Sequence, residues 1–216
     1  PICRKPYAGG AVVPNGIGRM GGVTVEFSDY VFIGNAVYAH ARLLRVHRTP
    51  VGGATAIIAS GVNNPSGVYA DADYAYWLAA GITGGQVFRA QHDGTQPLAI
   101  LNVPGFAFDI VVDGQTVWVT DSRRGEVLSV RRDGTQASVV AQGVDRPTDI
   151  EVLGQDVCFA VEAQGAMGKV HCMRPNGTMG RDVITGLSSP RAIHLDAGFV
   201  YVVEGTSTAR LLRAPL

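Results

Sequence analysis

Gly125-Glu126-Val127-Leu128, running on to Asp133-Gly134-Thr135-Gln136, reads as a strand and a tight turn, and it is one of three copies. Upstream the phrase is Gly85-Gln86-Val87-Phe88 leading to Asp93-Gly94-Thr95-Gln96. Downstream it is Gly168-Lys169-Val170-His171 leading to Asn176-Gly177-Thr178-Met179. The turn glycines Gly94, Gly134 and Gly177 lie 40 and 43 residues apart. Asp-Gly is a hairpin signal because such turns need positive φ, which glycine adopts without a Cβ clash. A period in the low forties built of several short strands marks a radially repeated sheet.

Working outward, each period holds four β-branched runs. Around the central phrase these are Asp109–Val112, Val117–Thr120, Val127–Val130 and Ser138–Ala141, with turns at Asp113-Gly114 and Asp133-Gly134. The preceding unit gives Gly67–Ala70, Tyr74–Trp77, Val87–Ala90 and Leu98–Leu101; the following one gives Asp149–Val152, Val157–Ala160, Val170–Met173 and Asp182–Thr185. The first reads Val23–Glu26, Tyr30–Ile33, Leu43–Val46 and Ala56–Ala59. The last offers only Ala192–Leu195, Val200–Val203 and Leu211–Ala214.

Ala11–Ile17 resembles the outer-strand phrases Ser138–Val144 and Ala56–Val62, so it is the expected fourth strand of the last unit. The expectation is an all-β, five-bladed propeller of four-stranded antiparallel blades, closed by the N-terminal strand, which leaves no free sheet edge at the junction. It places an arm at 1–10, the closing strand at 11–17, and blades at about 18–60, 61–102, 103–143, 144–186 and 187–216 of a single domain.

Composition narrows the partners. Eighteen basic and eighteen acidic side chains balance, so no net field gathers nucleic acid or an anionic membrane. No apolar run approaches the ~20 residues of a spanning helix. The 28 glycines and 11 prolines are spread along the chain, as many turns between short strands require.

Pro104, Pro147 and Pro190 at the heads of the innermost strands, Trp118-Val119-Thr120-Asp121, and the Gly-x-Val and Asp-Gly-Thr phrases together resemble the NHL and YWTD group of propeller repeats. That group includes virginiamycin B lyase-like and gluconolactonase-like propellers. The resemblance runs from about Ala11 to Leu216 and speaks for fold more than for activity.

Family geometry implies a loop face formed by the lead-in loops to the innermost strands and the loops between second and third strands. The latter begin at Asn35, Ala80, Asp121, Glu162 and Glu204; the former offer Arg19, Asn63 and Asn64, Asp145 and Arg146, and Arg191. With Asp149 and His194 on innermost strands, the candidate ligand-binding set is Arg19, Asp121, Arg146, Asp149, Glu162, Arg191, His194 and Glu204. These charges either bind a polar partner or pin neighbouring blades. The resemblance also admits Ca²⁺ or Mg²⁺ at the channel mouth on carboxylate oxygens, but no metal set and no cofactor is assigned. His40, His47, His92, His171 and His194 lack ligand spacing, and no nucleophile, Walker or dinucleotide motif is present.

Cys158 and Cys172 each stand four residues in from the expected hairpin ends Glu162 and Gly168, hence opposite one another. A non-hydrogen-bonded antiparallel pair brings Cα atoms to ~4.5 Å, close enough for a cross-strand disulfide. Such a bond implies an oxidising compartment, so a secreted, extracellular or periplasmic location is expected. Cys3 is left over, and Asn176-Gly177-Thr178 is a glycosylation sequon read here as a hairpin turn. The leading expectation is a non-enzymatic binding or assembly module that holds a protein or polar small ligand on its loop face, with self-assembly through residues 1–7 as a further option. The alternative is a metal-assisted lyase or lactonase, in which Asp121, Glu162, Glu204 and His194 converge on one point.

Overall fold

The computed structural model describes residues 3–4, 13–14, 17–20, 23–33, 36–41, 45–50, 53–81, 83–163, 167–196, 198–205 and 209–216, with side chains from residue 45 onward. It is all β. Among the described residues no helix is long and apolar enough to cross a membrane. The chain divides into two compact units, Pro1–Ile110 and Val111–Leu216.

In the first unit, β1 (Cys3–Arg4) pairs with β2 (Val13–Pro14). A five-stranded sheet follows: β3 (Ile17–Met20), β4 (Val23–Ile33), β5 (Ala36–Ala41), β6 (Arg45–Pro50) and β7 (Ala56–Ser60). Next come β8 (Pro65–Ala70), β9 (Tyr74–Gly81), β10 (Gly84–Gln91) and β11 (Leu98–Val103), paired in sequence. The unit boundary falls within β12 (Ala107–Asp113), which forms a sheet with β13 (Thr116–Asp121), β14 (Glu126–Arg131) and β15 (Ser138–Ala141). The second unit continues with β16 (Pro147–Leu153), β17 (Asp156–Val161), β18 (Gly168–Met173) and β19 (Arg181–Leu187). It ends with β20 (Pro190–Asp196), β21 (Phe199–Glu204) and β22 (Arg210–Pro215). These consecutive antiparallel four-stranded sheets resemble propeller blades.

Two sequence expectations need correction. Val23–Glu26 and Tyr30–Ile33 are not a hairpin: both lie in β4, whose partner for the latter half is β5, and the third strand is Arg45–Pro50. Ser28-Asp29 reads as a turn, but it sits at a register shift between Phe27 and Asp29 while the flanking β-formers keep the strand going. Pro104 does not begin an inner strand. β12 starts at Ala107, which aligns with Pro147 when Asp109 is set on Asp149; Pro65, like Pro147 and Pro190, does begin its strand. Of the segment 11–17, Val13–Pro14 pairs with Cys3–Arg4 and Ile17 opens β3, and the sheet ending in β22 has three strands among the described residues.

The repeated turn is a three-residue loop, not the two-residue one that Asp-Gly suggests. Gly94 N–H donates to Gln91 O (2.8 Å) and Gln91 N–H to Thr95 O (2.9 Å), with Gly94 at φ 84°. This is a type I turn closed by a left-handed residue. Arg131 to Thr135 and Arg174 to Thr178 repeat it. In each copy the Asx side-chain oxygen accepts both the N–H and the hydroxyl of the threonine, at 2.6 Å from the hydroxyl. Asn176 belongs to this turn, as expected.

Hydrogen bonds from the threonine hydroxyl and N–H hold the Asp93 and Asp133 carboxyls below the usual carboxylate range. A carboxylate lowered in the folded state adds stability above its unfolded value and loses it as pH falls through the folded one. Asn176 makes the same bonds without a charge. The double variant Asp93→Asn/Asp133→Asn is therefore expected to show a shallower fall of melting temperature between about pH 4 and pH 2 than the parent. Parallel acid limbs would show that these turns do not couple to pH.

Each outer strand carries a bulge at the same place. The register slips between Val46 and His47, Val87 and Phe88, Val127 and Leu128, and Val170 and His171, leaving Ile58, Ile100, Val140 and Val183 unpaired. Within each unit, the turn glycine of the next sheet sits on the bulged residue. A Cβ on Gly94 would meet Ile58 O at 2.6 Å, and one on Gly177 would meet Val140 O at 2.3 Å. The repeat phrase thus positions sheet against sheet as well as strand against strand.

Apolar burial between sheets follows the same logic. Val46, Val68, Ala75 and Trp77 pack together in the first unit. In the second, Cys158, Val170 and Cys172 of one sheet meet Ile193, Val200 and Val202 of the next. Each fully buried valine or isoleucine contributes about 1.5–3 kcal/mol.

Candidate functional site

Cys158 and Cys172 are directly paired in the β17–β18 ladder and joined by a disulfide with Cα atoms 4.1 Å apart. Both are fully buried. The disulfide fixes the register of the hairpin that carries Glu162 at its tip.

That register also shows that the expected loop-starting residues are not equivalent. Pro65, Pro147 and Pro190 pair with Ala79, Val161 and Glu204. Glu204 and, at the end of β13, Asp121 therefore align with Ala79 and Val161. Ala80 and Glu162 stand one position later and align with Gly205, as the backbone bonds Ala80 N–H to Asn64 O, Glu162 N–H to Arg146 O and Gly205 N–H to Ser189 O confirm. One step along a strand reverses the face a side chain takes. Asn35 lies outside the described residues.

Asp121 and Glu204 are accordingly buried, at 0% and 1% exposure. Asp121 accepts the N–H groups of Arg123 (3.1 Å) and Arg124 (3.0 Å), closing its own loop. Glu204 accepts Ser188 N–H (2.7 Å) and is paired with Arg210. Asp149 accepts the N–H of Ile193 at 2.7 Å, fastening β16 to β20. Thr120 does similar work for β13 and β16, its hydroxyl donating to Thr148 O at 2.6 Å.

Glu162 faces the other way and pairs with Arg146 at 2.9 Å; the arginine side chain is 60% exposed. Arg146 holds φ at +46°, in the left-handed region, immediately before Pro147. Any residue with a Cβ is disfavoured there by the clash of that atom with its own backbone. Asn64 before Pro65 does the same at +42°. Arg191 is exposed. Arg19 lies in β3, its side chain outside the described residues. His194 stands 3.8 Å from Glu151, and neither of its buried ring nitrogens has a hydrogen-bond partner.

Asp121, Glu162, Glu204 and His194 thus take separate partners. Among the described residues no three His, Cys, Asp or Glu side chains gather as a metal-binding cluster. Sequence reading missed Glu151, although aligning β16 on β20 places it at the position of His194. It also missed the left-handed residues before the prolines, which carry no compositional mark.

No family model and no curated protein matches the chain. Solved structures do. A chain of a nidogen/laminin complex superposes with a TM-score of 0.70 at 21% identity, over 83% of this chain and 74% of that one. A streptogramin B lyase gives 0.68 at 12% identity, over 89% and 69%. The computationally designed Ika8 protein gives 0.66 at 13% identity, over 90% and 60%. These likenesses show the fold, and the sheets described above are those of a β-propeller.

Proposed function

We propose that the chain is a secreted binding module whose loop face holds a protein partner. In this reading the sheets form a single ring of five blades, and the segment around Val13 lends its free edge to β22. The observation that carries the reading is Arg146: a non-glycine residue kept left-handed, oriented by Glu162, with its guanidinium in solvent. Backbone strain of ~1–3 kcal/mol persists where the surroundings impose it, and such residues gather at binding sites. An arginine with a rigid base is a common interface anchor. The buried disulfide supports an oxidising location, and a chain in the nidogen/laminin complex shares the fold.

The test begins with the immobilised chain, secreted proteins of the source organism, and mass spectrometry of what is retained. The purified partner is then titrated calorimetrically. Arg146→Glu is expected to weaken binding about tenfold or more with the melting temperature unchanged. Equal affinity of parent and variant would remove Arg146, and the proposed face, from the interaction.

A further inference from the structure

One groove of the second unit differs chemically from its counterpart in the first. It lies between β15 and the β17–β19 sheet, has a volume of about 750 Å³, and is lined by Val140, Val144, Phe159, Met167, Lys169 and His171 among others. The corresponding groove of the first unit, about 420 Å³, is lined at the same register by the stacked pair Trp77 and Phe88.

In the second unit this position holds a polar row. Phe159, His171 and Asp182 are directly paired across β17, β18 and β19. His171 Nδ1 lies 2.7 Å from Asp182 Oδ1, and Lys169 Nζ lies 3.0 Å from Asp182 Oδ2. Burial raises the Asp182 carboxyl, but the bonds from His171 and Lys169 prevail and leave it below the usual range. It is therefore an ionised acceptor, and Nδ1 carries the proton it receives. The other outer strands place Ile57, Ala99 and Val139 where Asp182 stands, so none of them can orient an imidazole.

With Nδ1–H held by Asp182, the lone pair resides on Nε2. In this tautomer the ring offers Nε2 as an acceptor. Among the described residues Nε2 has no hydrogen-bond partner. Gly180 leaves it uncovered, since a Cβ there would sit 2.7 Å from Nε2. The groove beside it is mixed: Val144 and Met167, the latter 71% exposed, are apolar, Lys169, Asp182 and Thr185 are polar, and the buried Phe159 backs the imidazole at 5.3 Å between ring centres.

We propose that this groove is a binding site for a small aromatic molecule bearing a hydroxyl, its ring against Val144 and Met167 and its O–H donating to His171 Nε2. The site is independent of the loop-face reading, and neither needs the other.

The test is a titration of the full chain with 4-methylphenol, followed through the His171 ring nitrogens by ¹⁵N NMR, with toluene as the matched compound lacking the donor. The phenol is expected to bind in the millimolar range and shift Nε2, with toluene about fivefold weaker, as one hydrogen bond dictates. Gly180→Ala, at an exposed residue, is expected to reduce phenol binding about fivefold while leaving the Nδ1–H signal in place. Toluene binding as tightly as the phenol, or an Nε2 resonance unmoved by saturating phenol, would overturn the proposal.

Discussion

Replacing Cys158 and Cys172 together by alanine is expected to lower the unfolding free energy by about 3 kcal/mol, the value for closing a loop of this length in the unfolded chain. The two cysteines are 14 residues apart, fully buried, and packed against Ile193 and Val200 of the next sheet. Alanine removes both the link and two sulfur atoms from a packed interior, so relaxation cannot recover the loss. The register explains why the effect is concentrated here. Aligned on the bulges, the cysteine pair occupies the position of Trp118 and Ser129 in the preceding sheet and of Tyr201 and Arg213 in the following one. Neighbouring sheets fill that place with an aromatic ring; this one fills it with a covalent bridge. Denaturant unfolding of parent and double variant measures the difference. A loss under about 1 kcal/mol would show that packing alone holds the hairpin.

Gly177→Ala should cost as much, for a different reason. Gly177 has φ +80°, where a Cβ costs about 1–2 kcal/mol. The new Cβ would also lie 2.3 Å from Val140 O, a backbone atom that cannot rotate away. Overpacking of that kind adds about 1–3 kcal/mol, for a total near 3. Gly186→Ala separates the two contributions: its φ is +74°, but nothing lies within 4 Å of the added atom. It should cost about 1 kcal/mol. Equal effects at the two glycines would mean that the turn does not bear on the neighbouring sheet.

Much of the architecture could be read before any coordinates, because period, alternation and turn chemistry are local. Cys158 and Cys172 were placed opposite each other by counting from a hairpin's ends, and the ladder pairs them so. The Asx-Gly-Thr turns were visible, but not the bulge each glycine meets, since Ile58 and Val140 look like ordinary strand residues. The candidate site was less legible. Asp121, Glu162 and Glu204 look alike as acids at loop starts, yet a one-residue offset buries two and leaves the third half-buried. Asp149 reads as a channel carboxylate, whereas its oxygen is taken by Ile193 N–H. Left-handed Arg146 follows from the loop's closure on Glu162, a non-local constraint with no signature in composition.

Native-state hydrogen exchange at β22 bears most directly on whether a single ring, and hence one loop face, exists. Leu216 N–H is bonded to Gly198 O, so by alternation the amides of Leu211 and Arg213 point away from β21. The proposed closure requires both to exchange as slowly as the amides inside β18. Exchange at the rate of an open strand edge for both would contradict closure, and with it the binding surface assigned to the loops.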